Sequence, residues 1–212
     1  MDQTSVEPAF FLSYVRTQPV KGDEERDPDA GVMRLFYNLS ALLNQLLDRD
    51  AAAPPGAIDR QIVGGKRWSP ELAEKVGTCR VFVALASPRY YRSEWCGREW
   101  GAFESRQRTD DGEPLPRDSG MIVVRWIPPA PGQQPPKAMN AVQEFAPLEG
   151  REYTLYREHG LWGLLASGNE ETHRFITYCL ARRIAELYHT VRVPPRVFRD
   201  AATLPNVFRE AE

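Results

Sequence analysis

The run Arg80 to Ala86, RVFVALA, passes through β-branched, aromatic and small apolar side chains with no polar residue after its first. A strand with one wet face alternates polar and apolar residues. One that is apolar on both faces has to be covered on both, as a central strand of a parallel sheet is. Parallel neighbours need crossover connections, usually helices, so this one stretch commits the chain to layered α/β architecture.

The flanking sequence agrees. Ala9 to Tyr14 (AFFLSY) and Gly120 to Ile127 (GMIVVRWI) read as further buried strands, the second stopped by the proline-rich IPPAPGQQPP stretch. A shorter strand is expected around Ala57 to Ile62, followed by a Gly-Gly turn. Apolar steps of three and four over Val32 to Leu47 define an amphipathic helix, and Ser69 to Val76 opens a helix with an N-cap Ser and Pro at its first position. Glu170 to Tyr188 is the last helix, with Phe175, Ile176, Cys179, Leu180, Ile184 and Leu187 on one face. Val142 to Phe145 and Gly160 to Leu165 are minor elements, and the residues after Tyr188 read as a linker or tail. The expected organisation is an N-terminal tail over 1–8, one domain over 9–190, and a linker or tail over 191–212, from which a further module or partner would be reached.

In a doubly wound sheet ligands bind beyond the carboxyl ends of the strands. Those ends are Ser13-Tyr14 and Ser87-Pro88, and the second leads directly into Ser93 to Phe103, SEWCGREWGAF. At about 100° per residue, with Trp95 as zero, Glu99 falls at about 40°, inside the arc of Trp95, Phe103, Cys96 and Trp100. Glu94, Gly97, Arg98, Gly101, Glu104 and Ser105 fall on the opposite, polar side. A carboxylate in an apolar arc either faces a cavity, is neutralised, or snorkels from the edge of the interface.

Composition narrows the partners. A net charge of -2 gives no basic field for nucleic acid or an anionic membrane. The three cysteines, Cys79, Cys96 and Cys179, form no CxxC pair and have no His at ligand spacing, so neither a disulfide framework nor a metal site is indicated. No apolar run is long enough to span a bilayer and the first residues lack a signal-peptide pattern, so a cytoplasmic location is expected. The Gly64-Gly65 pair lacks the context of a nucleotide-cradling loop, and no acidic cluster marks a phosphoacceptor pocket.

The order of these pieces resembles the TIR domain family. FFLSY looks like its first box, Asp59 with Gly65-Lys66-Arg67-Trp68 like the loop after the second strand, and CRVFVALASPRYYRSEWCGREW like its strand, Ser-Pro turn and WCxxE helix in register. Among bacterial members the chain looks most similar to the TIR-like FxsC proteins of actinobacterial peptide clusters. The resemblance implies a flavodoxin-like fold with a five-stranded parallel sheet and helices on both faces. It also implies cleavage of NAD+ to nicotinamide and ADP-ribose or a cyclic isomer, with NAD+ consumed as substrate and no cofactor required. Glu99 is the glutamate of WCxxE. Ser13, Tyr14, Arg16, Asp59, Gly65, Trp68, Ser87 and Trp95 are the matching substrate-side positions, with Trp68 and Trp95 suited to stack on a base and Arg16 to face the diphosphate. Each has a plainer reading too: Ser13 and Ser87 as strand-terminating turn residues, Asp59 as a turn cap, the tryptophans as packing, and Arg16 as a solvated charge. The family further implies homo-oligomerisation in the active state and a role in bacterial antiphage immunity, or, in a different class, a non-catalytic scaffold acting by homotypic association.

Overall fold

The computed structural model describes residues 7–18, 21–22, 27–49, 54–59, 70–107, 119–147, 149–198 and 204–209. Four strands, β1 (Phe10–Ser13), β2 (Gly56–Ile58), β3 (Val81–Ala86) and β4 (Met121–Arg125), form one parallel sheet in the order β2-β1-β3-β4. The helices are α1 (Ala30–Leu46), α2 (Pro70–Thr78), α3 (Glu94–Ser105), α4 (Arg151–Ala166) and α5 (Glu170–Thr190), with 3-10 turns at Tyr90–Arg92 and Lys137–Ala141.

Strand parity sorts the core into two layers. Phe10 and Leu12, with Val81, Val83 and Leu85, face α1, α4 and α5. Phe11, Phe82, Ala84 and Ala86 face α2 and α3. All six residues of β3 are buried, which is why RVFVALA carries no alternation. On the second face Phe82 packs edge-on to Trp100, with centroids 6.1 Å apart, and against Phe103 at 5.3 Å.

The sheet has four strands among the described residues, not the five expected. The position of a fifth is marked by one parallel bridge, Val123 to Glu144, with Phe145 N donating to Val123 O at 2.8 Å. Pairing cannot extend: Pro147, which has no N–H, follows within three residues, and Gly150 already leads into α4.

Three other expectations change. Gly160 to Leu165 belongs to α4, whose two halves meet at Gly160 in a non-helical conformation that hides the periodicity. Phe175 lies on the wet side of α5, 41% exposed, while Ile176, Leu180, Ile184 and Leu187 make the buried stripe. Gly97 and Gly101 are buried rather than solvent-facing, because residues 205–208 lie against them.

The residues after α5 add to the α2/α3 layer. Val193 enters its core, and the buried Arg106 guanidinium, at the end of α3, binds the carbonyls of Val76, Cys79, Val193 and Pro194. Arg196 N donates to Gly77 O at 2.9 Å. No helix among the described residues is long and apolar enough to cross a membrane.

Candidate active site

The order β2-β1-β3 puts the carboxyl ends of β1 and β3 side by side, with their crossovers leaving in opposite directions. This is the switch point at which doubly wound sheets open a crevice. Ser13 ends β1 and, sharing the parity of Phe11, faces α3. Beyond β3, Ser87 Oγ accepts from Tyr90 N at 3.2 Å and Tyr91 N donates to Ser87 O, which sets the 3-10 turn. Ser93 then caps α3, accepting from Cys96 N at 3.2 Å, so the helix begins in register to aim Glu99 back at the sheet.

Glu99 is 4% exposed. Ser13 Oγ donates to its Oε2 at 2.5 Å, and Ser13 Oγ lies 2.9 Å from the Tyr90 hydroxyl. Ser13 has one proton. With that O–H directed at Glu99, the second bond requires Tyr90 O–H to donate to Ser13, giving a relay from Tyr90 through Ser13 to Glu99. Burial pushes the Glu99 carboxyl up to about 8, with Ser13's bond opposing and the charge of Asp59 adding to the rise. Burial likewise holds the Tyr90 phenol and the neighbouring Cys96 thiol in their neutral forms, and Glu99's charge acts on both in the same direction.

A looser polar group borders this centre. Tyr14 is pushed up to about 12 by burial and by the charge of Asp29, against the opposing effect of Arg16; Asp59 acts weakly on it as well. Asp29 Oδ1 accepts from Thr17 N at 3.0 Å, and Arg89 donates to the Arg16 carbonyl at 3.2 Å, tying the β1 loop to the β3 turn. Trp95, half-buried one turn before Glu99, carries the Arg98 guanidinium over its ring at 5.5 Å.

Of the residues expected at the site, Ser13, Tyr14, Arg16 and Asp59 gather at the carboxyl ends of β1 and β2, where Glu99 of α3 meets Ser13; Trp95 lies one turn earlier on α3, against Arg98. Ser87 is used to build the turn. Gly65 and Trp68 lie outside the described residues. Tyr90 is the site residue that sequence reasoning misses, although it sits in the Ser-Pro turn; its spacing of three from Ser87, at the carboxyl edge of the central strand, is the signal that could have identified it.

The arrangement offers one carboxyl in an apolar wall, fixed by a two-hydroxyl relay, with cationic side chains of the β1 and β3 loops nearby. It can stabilise developing positive charge once the carboxyl ionises. No metal-ligating cluster of His, Cys, Asp and Glu occurs among the described residues.

Comparison with known proteins supplies a family and nothing narrower. No curated protein and no solved structure matches the chain. The family model described as TIR domain matches residues 40–146, half of the chain and including β3, the Ser-Pro turn and α3. With a parallel sheet flanked by helices around it, this chain belongs to the TIR domain family.

Proposed function

We propose that the protein is an NAD+ glycohydrolase in which Glu99 is the working carboxylate. The observation that carries the reading is the Glu99 carboxyl itself, buried at the β1/β3 switch point and held by Ser13. Breaking the nicotinamide–ribose bond builds oxocarbenium character on the sugar, and a fixed carboxylate stabilises that charge more than it stabilises the ground state. Nicotinamide leaves as a neutral pyridine, so no strong acid is needed. Water, or a nucleophile within the nucleotide, then takes C1, giving ADP-ribose or a cyclic isomer. Arg16 and Arg89 suit the diphosphate, and Trp95 suits stacking on a base.

Glu99 is sealed and, with its pKa near 8, mostly protonated at neutral pH. Turnover therefore requires an opening that hydrates and ionises the carboxyl, which fits an effector silent as a monomer and switched on by TIR–TIR assembly, in keeping with the bacterial immune role that the TIR family implies. The same burial favours a second reading, a non-catalytic scaffold in which the neutral carboxyl only ties α3 to β1.

Incubation of the full chain with NAD+ over a wide range of protein concentration, with Glu99→Gln alongside, separates the two. Nicotinamide release that rises faster than linearly with protein and is absent in Glu99→Gln supports the enzyme and identifies its product by mass. Assembly without release at any concentration supports the scaffold, and release unaltered in Glu99→Gln removes Glu99 from the reaction.

A further inference from the structure

Residues 204–209 return to the body of the protein along the flank of α3. A Cβ on Gly97 would overlap Asn206 Oδ1, and one on Gly101 would lie 3.0 Å from both Pro205 O and Val207 Cγ1. Only a helix surface without side chains at these two positions admits the segment so closely. At its far end the Phe208 ring sits 5.6 Å from the Tyr90 ring and 5.9 Å from that of Trp100.

The attachment is uneven along the chain. Upstream, Val193, Pro194 and Arg196 are fastened by Arg106 and by the carbonyl of Gly77. Over 204–208, by contrast, no hydrogen bond among the described residues reaches the body. Asn206 accepts from Phe208 N and Arg209 N, inside the segment. Among the described residues, an exposed ion pair, Arg209 to Glu94 at 3.7 Å, adds to the packing, and pairs of this kind add little. The root is pinned, while the described contacts of residues 204–209 with the body are apolar packing and that ion pair, the construction of a segment that can leave while the fold persists.

Tyr90 stands between the segment and Glu99. Its ring packs on Phe208, and its hydroxyl bonds Ser13, whose O–H donates to Glu99. We infer that the glycine-floored groove of α3 is a docking site for residues 204–209 of this chain, and that the docked segment, acting through Tyr90 and Ser13, holds Glu99 sealed until it is released. The inference rests on Glu99 as the working carboxylate for its consequence in activity, but the docking and its coupling are measurable without NAD+.

The test uses the full chain and three variants outside the carboxyl itself. Gly97→Ala crowds Asn206 while suiting a helix, Phe208→Ala removes the ring from its seat, and Tyr90→Phe removes the hydroxyl that joins the seat to Ser13. Deuterium uptake reports docking, and the Glu99 carboxyl resonance, assigned by its loss in Glu99→Gln, reports sealing. The groups facing Glu99 are Ser13 from β1, Asp59 from the end of β2, Tyr90 from the turn and Cys96 from α3, so the titration is read with these unchanged except where stated.

Gly97→Ala and Phe208→Ala are expected to raise uptake in 204–209 and in the turn before α3, and to lower the Glu99 midpoint by about one pH unit or more as water replaces the seal. In a Tyr90→Phe background the effect of Phe208→Ala on that midpoint should shrink to less than half. Raised uptake in 204–209 with an unchanged Glu99 midpoint overturns the coupling, as does an undiminished effect without the Tyr90 hydroxyl. Uptake over 204–209 already at the unprotected rate in the unmodified chain overturns the docking. NAD+ cleavage followed in the same samples should rise several-fold on release. Coupling without cleavage in any variant keeps the latch and removes the NAD+ reading instead.

Discussion

Ser13, the last residue of β1, donates its only proton to Glu99 of α3 across a sequence separation of 86 residues. A bond to the charged form of a carboxyl lowers its pKa, so Ser13 partly offsets what burial does to Glu99. Ser13→Ala therefore pushes the Glu99 midpoint further up. For the proposed cleavage, which needs the ionised carboxylate, the rising limb of kcat against pH moves alkaline. At neutral pH kcat then falls about tenfold for each pH unit by which the limb moves, with KM little changed. A pH profile that superimposes on that of the unmodified protein removes Ser13 from the control of Glu99.

Glu99 and His173 give the fold opposite responses to pH. Unfolded, a glutamate titrates near 4.5; folded, Glu99 titrates at about 8, so between these values the folded state holds the extra proton. Its contribution is full below 4.5 and is lost as pH rises toward 8. His173, buried in α5, is pulled down from 6.5 to about 4, chiefly by burial and with the Arg34 charge assisting against Glu170. Its contribution is full above 6.5 and lost as pH falls toward 4. Between about 4.5 and 6.5 the two slopes, each about 1.4 kcal/mol per pH unit, cancel, and above 6.5 only the Glu99 loss remains. Glu99→Gln should remove the decline between pH 6.5 and 8 and uncover the His173 rise below it. Urea midpoints from pH 5 to 9 decide this; an unaltered alkaline decline in Glu99→Gln contradicts a neutral, buried carboxyl.

Arg106 supports the α2/α3 layer as a buried cation satisfied by backbone. Its guanidinium reaches the carbonyls of Val76 and Cys79, where α2 ends, and those of Val193 and Pro194 in the segment after α5. The end of a helix favours a positive charge, and the planar fork reaches four acceptors where an ammonium cannot. Arg106→Met leaves these carbonyls without their donor and should cost roughly 3 kcal/mol in chemical denaturation, with Arg106→Lys recovering less than half of it. Full recovery by lysine would mean that charge alone, and not the fork, is what the site uses.

The strands and the helix that build the site are legible in the sequence because their causes are local. RVFVALA is apolar on both faces because both are covered, and Glu99 stands out because its helix arc is otherwise apolar. What stays hidden depends on distant partners. The polar look of Gly97 and Gly101 is a consequence of having no side chain, and only the return of residues 205–208, over a hundred positions later, buries them. The fifth strand is reduced to one bridge because proline and glycine crowd the chain after Glu144. Tyr90's spacing from Ser87 marks it as part of the turn at the edge of β3, but its bond to Ser13 joins it to another strand, and that partner is not written in the local sequence.

Gly160 explains the lost periodicity of α4 and gives the sharpest test of the backbone. It sits at φ 68° and ψ 171°, between the two halves of the helix, in a conformation left almost wholly to glycine. Space forbids a side chain as well, since a Cβ would lie 2.5 Å from Trp126 O and 3.0 Å from the ring of Pro128. The same Trp126 carbonyl accepts from Trp162 N at 3.0 Å, so the break in α4 is bonded to the chain leaving β4. On the other side of the break, Tyr156 offers its hydroxyl oxygen to Arg125 N at 2.8 Å. Gly160→Ala has to relieve strain and contact together, and the relaxed route is a continuous helix that pulls Trp162 from Trp126. The expected cost is about 2 to 4 kcal/mol, combining an unfavourable φ with a lost backbone bond. Alanine at an ordinary helical glycine would instead add about 0.5 to 1 kcal/mol, so the sign of the change in the denaturation midpoint separates the two descriptions. A stabilised Gly160→Ala protein would mean that α4 runs straight through this position.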